Sequence, residues 1–275
     1  MIAGMKASRL FGIVLSFALS AGAQVQPPKK KLLAIGEVQG FEHDSVSHAL
    51  ATIEKLGRQT QLWDTYIRTD SELLTKEKLT RGNAHNLNYF DAVFFYTTGD
   101  LGLTGQQKKD LLSFVHDDGK GFIGTHTATD TYFDWPEYGE MVGAYFNEHP
   151  WGQVHCTIRT EDKTFPATAH FPAEFPFYDE IYQFKDPYSR DKVRVLMSVD
   201  PASVDLSNPR VHRTDKDFAV TWVKNYGKGR VFYSSLGHRD EVWDLPDIQK
   251  MWIEAVKWAL RMTDGDATPR PKPAQ

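Results

Sequence analysis

The stretch Gly119-Lys120-Gly121-Phe122-Ile123-Gly124-Thr125-His126-Thr127-Ala128-Thr129-Asp130 decides the fold. The apolar run Phe122-Ile123 enters Gly124 and then a segment of small polar residues. That pattern reads as a buried strand passing through a tight bend into a helix N-terminus. In α/β enzymes such a bend is the nucleophile elbow, which lifts one side chain above the edge of a sheet. Here that side chain is His126. A Cys or Ser would point to a covalent intermediate, whereas an imidazole points to proton transfer or metal binding. The plainer alternative is a His that closes a loop.

Upstream, Lys31 to Gly36 predicts a first strand and Glu37 to His43 a loop. Beyond Asp44, the residues Val46, Ala49, Leu50, Ile53 and Leu56 share one helical face, which Gly57 ends. A second strand is expected over Gln59 to Trp63 and a third over Tyr89 to Tyr96. Thr104-Gly105-Gln106-Gln107 has the form of a capping box, opening a helix that turns Leu111, Leu112 and Val115 inward. Alternating strands and helices predict an α/β fold, with a parallel sheet covered on both faces. Ligands in such sheets bind beyond the carboxyl ends of the strands, where His43 and His126 both fall. Downstream, strands are expected over Val154 to Arg159, Val193 to Val199 and Ala219 to Asn225. The turn Asn225-Tyr226-Gly227-Lys228-Gly229 leads into a strand from Arg230 to Ser235 and on to Leu236-Gly237-His238. A helix over Asp247 to Met262 closes the domain, and the Pro-rich tail 263–275 is expected to be disordered.

A chain of 275 residues can bury a substantial core. The net charge of −4, without a basic run, argues against nucleic acid as a partner. Residues 1–23 read as a signal peptide: Lys6 and Arg9, a short apolar run from Leu10 to Leu19, then Ala21-Gly22-Ala23 as a cleavage site. The apolar run is short for a membrane span, so no membrane insertion is expected after cleavage. Residues 24–30 form a linker, and the mature protein is expected to be periplasmic or secreted. Cys156 is the only cysteine, which rules out an intrachain disulfide, and its strand-like setting predicts inert burial. Self-association is left open by the sequence.

Several blocks in order resemble the ThuA-like (trehalose utilisation) family. They are Gly124 to Asp130, then Trp135 and Tyr138, Gly143-Ala144-Tyr145-Phe146-Asn147-Glu148-His149-Pro150, and Tyr178-Asp179-Glu180-Ile181-Tyr182. Gly227 to Tyr233 and Leu236-Gly237-His238 with Trp243 complete the set, over about residues 31–262. The resemblance implies a flavodoxin-like three-layer sandwich of the class I glutamine amidotransferase-like type, with extra strands in the second half. It also implies a role in bacterial carbohydrate use, including pathways through 3-keto sugars. True amidotransferases carry a Gly-x-Cys-x-Gly elbow. With His126 in the place of that Cys, thioester chemistry on glutamine is excluded at this position.

The candidate catalytic residues are His126, His238 and Glu148, and the candidate substrate-binding residues are His43, Trp135, Tyr182, Asp179 and Glu180. His43, His126, His149 and His238 form the candidate metal set, since neutral imidazoles with a carboxylate suit Zn²⁺ or a similar divalent ion. Without a metal the same groups serve as acid and base near neutral pH. The expected partner is a small-molecule sugar. Proton abstraction beside the ketone of a 3-keto glycoside, followed by isomerisation or elimination, is the leading reading. A non-catalytic sugar-binding protein and a metal-dependent hydrolase of glycosides or esters are the alternatives. Asp130 is read as a complement to the helix dipole, and His48, His85, His116, His155, His170 and His212 as surface or structural.

Overall fold

The computed structural model describes residues 1, 4, 28–80, 82 and 84–272, so nearly all of the expected signal segment lies outside the described residues. Strands β1 (Lys30–Ile35), β2 (Trp63–Arg68), β3 (Ala92–Phe95), β4 (Gly121–Thr125) and β11 (Gly229–Ser234) run parallel to one another. Antiparallel strands β10 (Ala219–Tyr226), β9 (Arg194–Val199), β6 (Gln153–Thr160) and β7 (Glu174–Glu180) extend the sheet in that order. The nine-stranded order is β2-β1-β3-β4-β11-β10-β9-β6-β7. A separate two-stranded ribbon pairs β5 (Tyr145–Glu148) with β8 (Gln183–Lys185).

Alternation along the strands splits the core in two. Leu32, Ala34, Phe94 and Phe232 face helices α1 (Ser45–Thr60) and α5 (Pro246–Ala259), while Leu33, Ile35, Phe95 and Tyr233 face α2 (Gly105–His116) and α3 (Pro136–Val142). The result is the expected three-layer sandwich with added strands in its second half. The capping box at Thr104 is present, with both Thr104 and Gln107 side chains engaged. No helix among the described residues is long and apolar enough to cross a membrane.

Several boundaries differ from expectation. Helix α1 runs past Gly57 to Thr60 and ends at Gln61, which takes the left-handed conformation. Gly57 is needed for a close approach, because a Cβ there would meet the Trp63 indole at 2.5 Å. The second strand therefore starts at Trp63, where the expected one ended. The helix expected to start at the elbow is only a short 3-10 turn, His126–Thr129, whose polar residues bond across the fold rather than along a helix. The short α4 (Asp240–Asp244), the β5–β8 ribbon and β7 were not foreseen.

The tail also departs from the expected disorder as far as residue 272. Ala267 is buried, Trp258 Nε1 donates to the Gly265 carbonyl at 3.1 Å, and Arg194 reaches Asp266 at 2.8 Å. An aromatic ledge and nearby cations give a polar, Pro-rich segment partners that its own composition does not reveal. Cys156 is buried as expected, and burial pushes its thiol up to about 12.

Candidate functional site

His126 stands at the end of β4 with φ +42°, a left-handed conformation that is uncommon outside glycine. The bend is built to hold it. A Cβ on Gly124 would lie 3.0 Å from Ala128 and 3.1 Å from Tyr233, so a side chain there would crowd the turn. The Tyr233 hydroxyl donates to the His126 carbonyl at 2.6 Å, and the Tyr138 hydroxyl to the Ala128 carbonyl at 2.7 Å. Buried phenols thus satisfy the turn's carbonyls and fix its geometry.

The ring of His126 is fully buried, with Nδ1 2.8 Å from the Ser235 carbonyl oxygen. A carbonyl only accepts, so Nδ1 carries a proton and the neutral ring presents a bare Nε2. Tyr182 stacks on the ring at 4.3 Å and donates its hydroxyl to Nε2 at 2.9 Å. His238 Nδ1 lies 3.3 Å from the same Nε2, and Glu180 Oε2 lies 3.5 Å from it. Glu180 Oε2 is 3.1 Å from His238 Nδ1. The His43 ring completes the group, 4.8 Å from His126 and 5.0 Å from His238 by ring centroids. One ligand atom from each of His43, His126, Glu180 and His238 falls within 4.8 Å of the others.

Asp179 positions His238 from behind. Its buried carboxylate accepts from the Gly237 amide at 2.6 Å and the Arg239 amide at 3.2 Å, on either side of His238. Gly237 has φ +131°, and its carbonyl accepts from Ser45, Tyr96 and Trp243. The loop is therefore tied to α1, α4 and the residue that follows β3 at once.

Electrostatics divides the four groups. Burial, with His126 and His238 nearby, pushes His43 down to about 3, so it is neutral in the physiological range. Burial also opposes ionisation of Glu180, but the neighbouring imidazoles of His126 and His238 outweigh it and hold the carboxyl well below its usual range. Burial likewise works against charge on His238, and Glu180 outweighs it, raising the imidazole above its ordinary value. A neutral imidazole beside an ion pair is a division suited to acid and base roles.

His43, His126 and His238, expected together past strand ends, are brought together. So are Tyr182 and Glu180, although Glu180 belongs to the polar cluster and not to a substrate wall. Three other expected site residues lie outside this cluster. Glu148 is engaged elsewhere: its carboxylate bonds Arg210 at 2.6 Å and the His149 amide at 2.8 Å, and the Arg210 pairing lowers its pKa. Trp135 sits in the core against Tyr132 and Tyr138, beside a separate cavity of about 150 Å³, because its indole fills the space under the turn. Asp179 is fully buried and holds backbone amides, leaving it nothing for a substrate. His149 stays at the rim, 3.8 Å from Glu180 Oε1 and outside the four-residue set.

A cavity of about 290 Å³ opens beside His43 and His238, bordered by Phe41, Glu42, Gln153 and Arg239. That volume is at the lower end of the range for small-ligand sites, about 300–1,000 Å³. Phe41 is 67% exposed at its lip, with its ring 4.7 Å from His43. The sequence carries a signal for it, an aromatic two residues before His43. A larger groove of about 800 Å³, bordered by Arg159, Glu174 and Asp200 on the antiparallel half, contains none of the site residues.

The fold and site define a flavodoxin-like α/β protein with an imidazole, not a thiol, at its elbow. The sequence matches the model of the ThuA family, described as trehalose utilisation, over residues 31–259, and the chain belongs to that family. No curated protein matches it significantly. Among solved structures it is similar to a ThuA-like protein from Bacteroides uniformis, with TM-score 0.66 and 21% identity, covering 88% of this chain and 95% of that one. A ThuA-like protein from Parabacteroides merdae gives TM-score 0.64 and 16% identity, covering 89% and 98%. A cytoplasmic protein from Salmonella typhimurium gives 0.54 and 13%, covering 83% and 98%. At these identities the likeness is one of fold.

Proposed function

We propose that this protein is an exported enzyme of carbohydrate use that acts on keto-sugars, 3-keto glycosides above all, by abstracting a proton beside the ketone. The observation that carries the reading is the convergence of His43, His126, His238 and Glu180 at the carboxyl edge of the parallel strands, beside an open cavity. Membership of a family described by trehalose utilisation supports a sugar as substrate. The signal-like residues 1–23 support export to the periplasm or beyond.

The same four residues would hold a divalent ion such as Zn²⁺. The separations of 3.1, 3.3 and 3.5 Å among Glu180, His238 and His126 suit a tetrahedral site. Ligand bonds of ~2.0–2.1 Å put the edges of such a site at about 3.3 Å. His43 Nδ1 is buried without a hydrogen-bond partner, and His126 Nε2 is left bare by the bond its other nitrogen makes. When bound, the ion supplies positive charge for the enediolate oxygen.

His149, half-exposed at the rim next to Glu180, takes the proton from carbon. Tyr182, buried and held protonated by its surroundings, keeps Nε2 of His126 aligned. Phe41 offers a flat apolar face to a sugar ring at the cavity lip, with Gln153 and Arg239 available to its hydroxyls.

The test is solvent deuterium exchange into the carbon beside the ketone of 3-keto glycosides. Exchange is expected with wild type and is lost in His126→Ala, and glutamine is not hydrolysed. No exchange and no conversion across a panel of keto-sugars overturns the proposal.

A further inference from the structure

The cavity beside His43 and His238 has a charged mouth. Of the residues that border it, Glu42, Asp44, Asp240 and Glu241 carry carboxylates, and Arg239 carries the one guanidinium. The four acidic residues are exposed, where the chain leaves β1 for α1 and β11 for α4. Arg239 does not offset them. Its Nη2 lies 3.0 Å from Glu241 Oε2, and its guanidinium stacks over the Tyr178 ring at 4.4 Å. The side chains of Glu42, Asp44 and Asp240 have no hydrogen bond or ion pair among the described residues. Deeper in, the imidazoles add no net charge. Burial and the neighbouring imidazoles push His43 down to about 3, which leaves it neutral, and His238 is matched by Glu180 at 3.1 Å. His43, 6% exposed in the cavity wall, also has its Nδ1 buried without a partner, an orphan of the kind that a bound ligand completes.

We propose that this carboxylate rim selects the sugar by its charge: the site takes neutral and amine-bearing glycosides and excludes those that carry phosphate, sulfate or carboxylate groups. Glu42 and Asp240, one from each of the two loops, are the specificity-determining residues. The inference rests on the keto-glycoside reading and adds the class of substrate. With the ketone at the His cluster, the rest of the sugar lies toward the rim. Charges of one sign lining a cleft act together, because the low-dielectric walls concentrate their field at the opening. Sugar hydroxyls lose nothing there, since each can donate to a carboxylate. A phosphate brings like charge and acceptor oxygens, and the one guanidinium at the mouth is already paired. An ammonium group brings the opposite charge and donors only.

The test uses a methyl 3-keto-hexoside, its 6-phosphate and its 6-amino-6-deoxy counterpart at one fixed zinc concentration. Affinity is read by calorimetry and turnover as kcat/KM. At low ionic strength both should rank the amine above the neutral sugar and the neutral sugar above the phosphate, the last step by at least about tenfold. Added salt should compress the ranking, because exposed charges are screened. In the double variant Glu42→Gln with Asp240→Asn, the neutral-to-phosphate ratio should fall by about fivefold or more. Both positions are exposed, and circular dichroism and the melting temperature check that the fold is kept. A phosphate that binds as well as the neutral sugar, or a ratio that the double variant leaves unmoved, overturns the role of the rim, while conversion of the sugars keeps the keto-glycoside reading. Binding in the expected order with none of the three converted overturns that reading and supports the rim. Failure of all three to bind overturns both.

Discussion

Nδ1 of His126 lies 2.8 Å from the carbonyl oxygen of Ser235, and this bond determines what the other ring nitrogen can do. With the proton fixed at Nδ1, Nε2 is a lone pair aimed at His238 and Glu180. Metal-free protein titrated with Zn²⁺ in a calorimeter should bind about one equivalent. His126→Ala and His43→Ala should each weaken binding by more than the roughly 10–100-fold typical of an outer-shell loss. Zinc binding of equal strength in these variants would remove the ion from the site.

Tyr182→Phe separates stacking from hydrogen bonding. The ring stays on His126 while the hydroxyl that occupies Nε2 is lost. The metal-free protein should lose about 0.5–1.5 kcal/mol, the net worth of a hydrogen bond. Zinc should bind as tightly or tighter, because no hydroxyl must leave Nε2. Weaker zinc binding would mean that the phenol helps to hold the ion.

The architecture was legible where local pattern and burial agree. The elbow at His126, the α2 capping box and the alternation in the first half follow from short-range chemistry, and all are present. His43, His126 and His238 could be grouped because each follows a strand end in one layer. The errors came from pairings across the chain. Glu148 looked like the site's carboxylate because it adjoins His149, yet Arg210, 62 positions away, takes it. Glu180 replaces it because β7 ends beside His126 and His238, a placement set by the antiparallel half of the sheet. Trp135 carried an aromatic sugar-site cue but was drawn into the core by Tyr132 and Tyr138.

Glu180→Gln and Glu148→Gln should therefore differ sharply. The first removes a cluster carboxylate and the counter-charge of His238, and should lower kcat/KM by at least about 100-fold. The His238 imidazole should titrate lower than in wild type, since burial remains while the partner that raised it is gone. Glu148→Gln loses an ion pair with the exposed Arg210, while its amide oxygen can still accept from the His149 amide, and it should stay within about tenfold. Equal losses in kinetics, or an unmoved His238 resonance in NMR titration, would return Glu148 to the candidate role it held on sequence grounds.

Away from the site, Arg190 is clamped between Glu161, at 2.6 and 2.9 Å, and Asp217, at 2.9 Å, and Tyr188 donates to Asp217 at 2.8 Å. All three charged side chains are at most 11% exposed. Burial alone would raise the Asp217 carboxyl, but Arg190 outweighs it and holds it below its usual value. A depressed folded-state pKa stabilises at pH above the unfolded value of about 3.9, and that contribution is lost as the pH falls through the folded one. The wild-type melting temperature should therefore hold from neutrality down to about pH 4 as far as this cluster is concerned. Arg190→Met leaves two buried carboxylates without the guanidinium that pairs with both, a loss of about 3–5 kcal/mol at neutral pH. With its main counter-charge gone, burial outweighs what Tyr188 and Arg213 supply and raises the Asp217 carboxyl above its unfolded value, so the sign of the pH dependence reverses. The variant should gain melting temperature as the pH is lowered from 7 towards 5, over a range in which this cluster leaves wild type flat. Melting curves of the two proteins that stay parallel across that range would show that the clamp carries no net charge coupling.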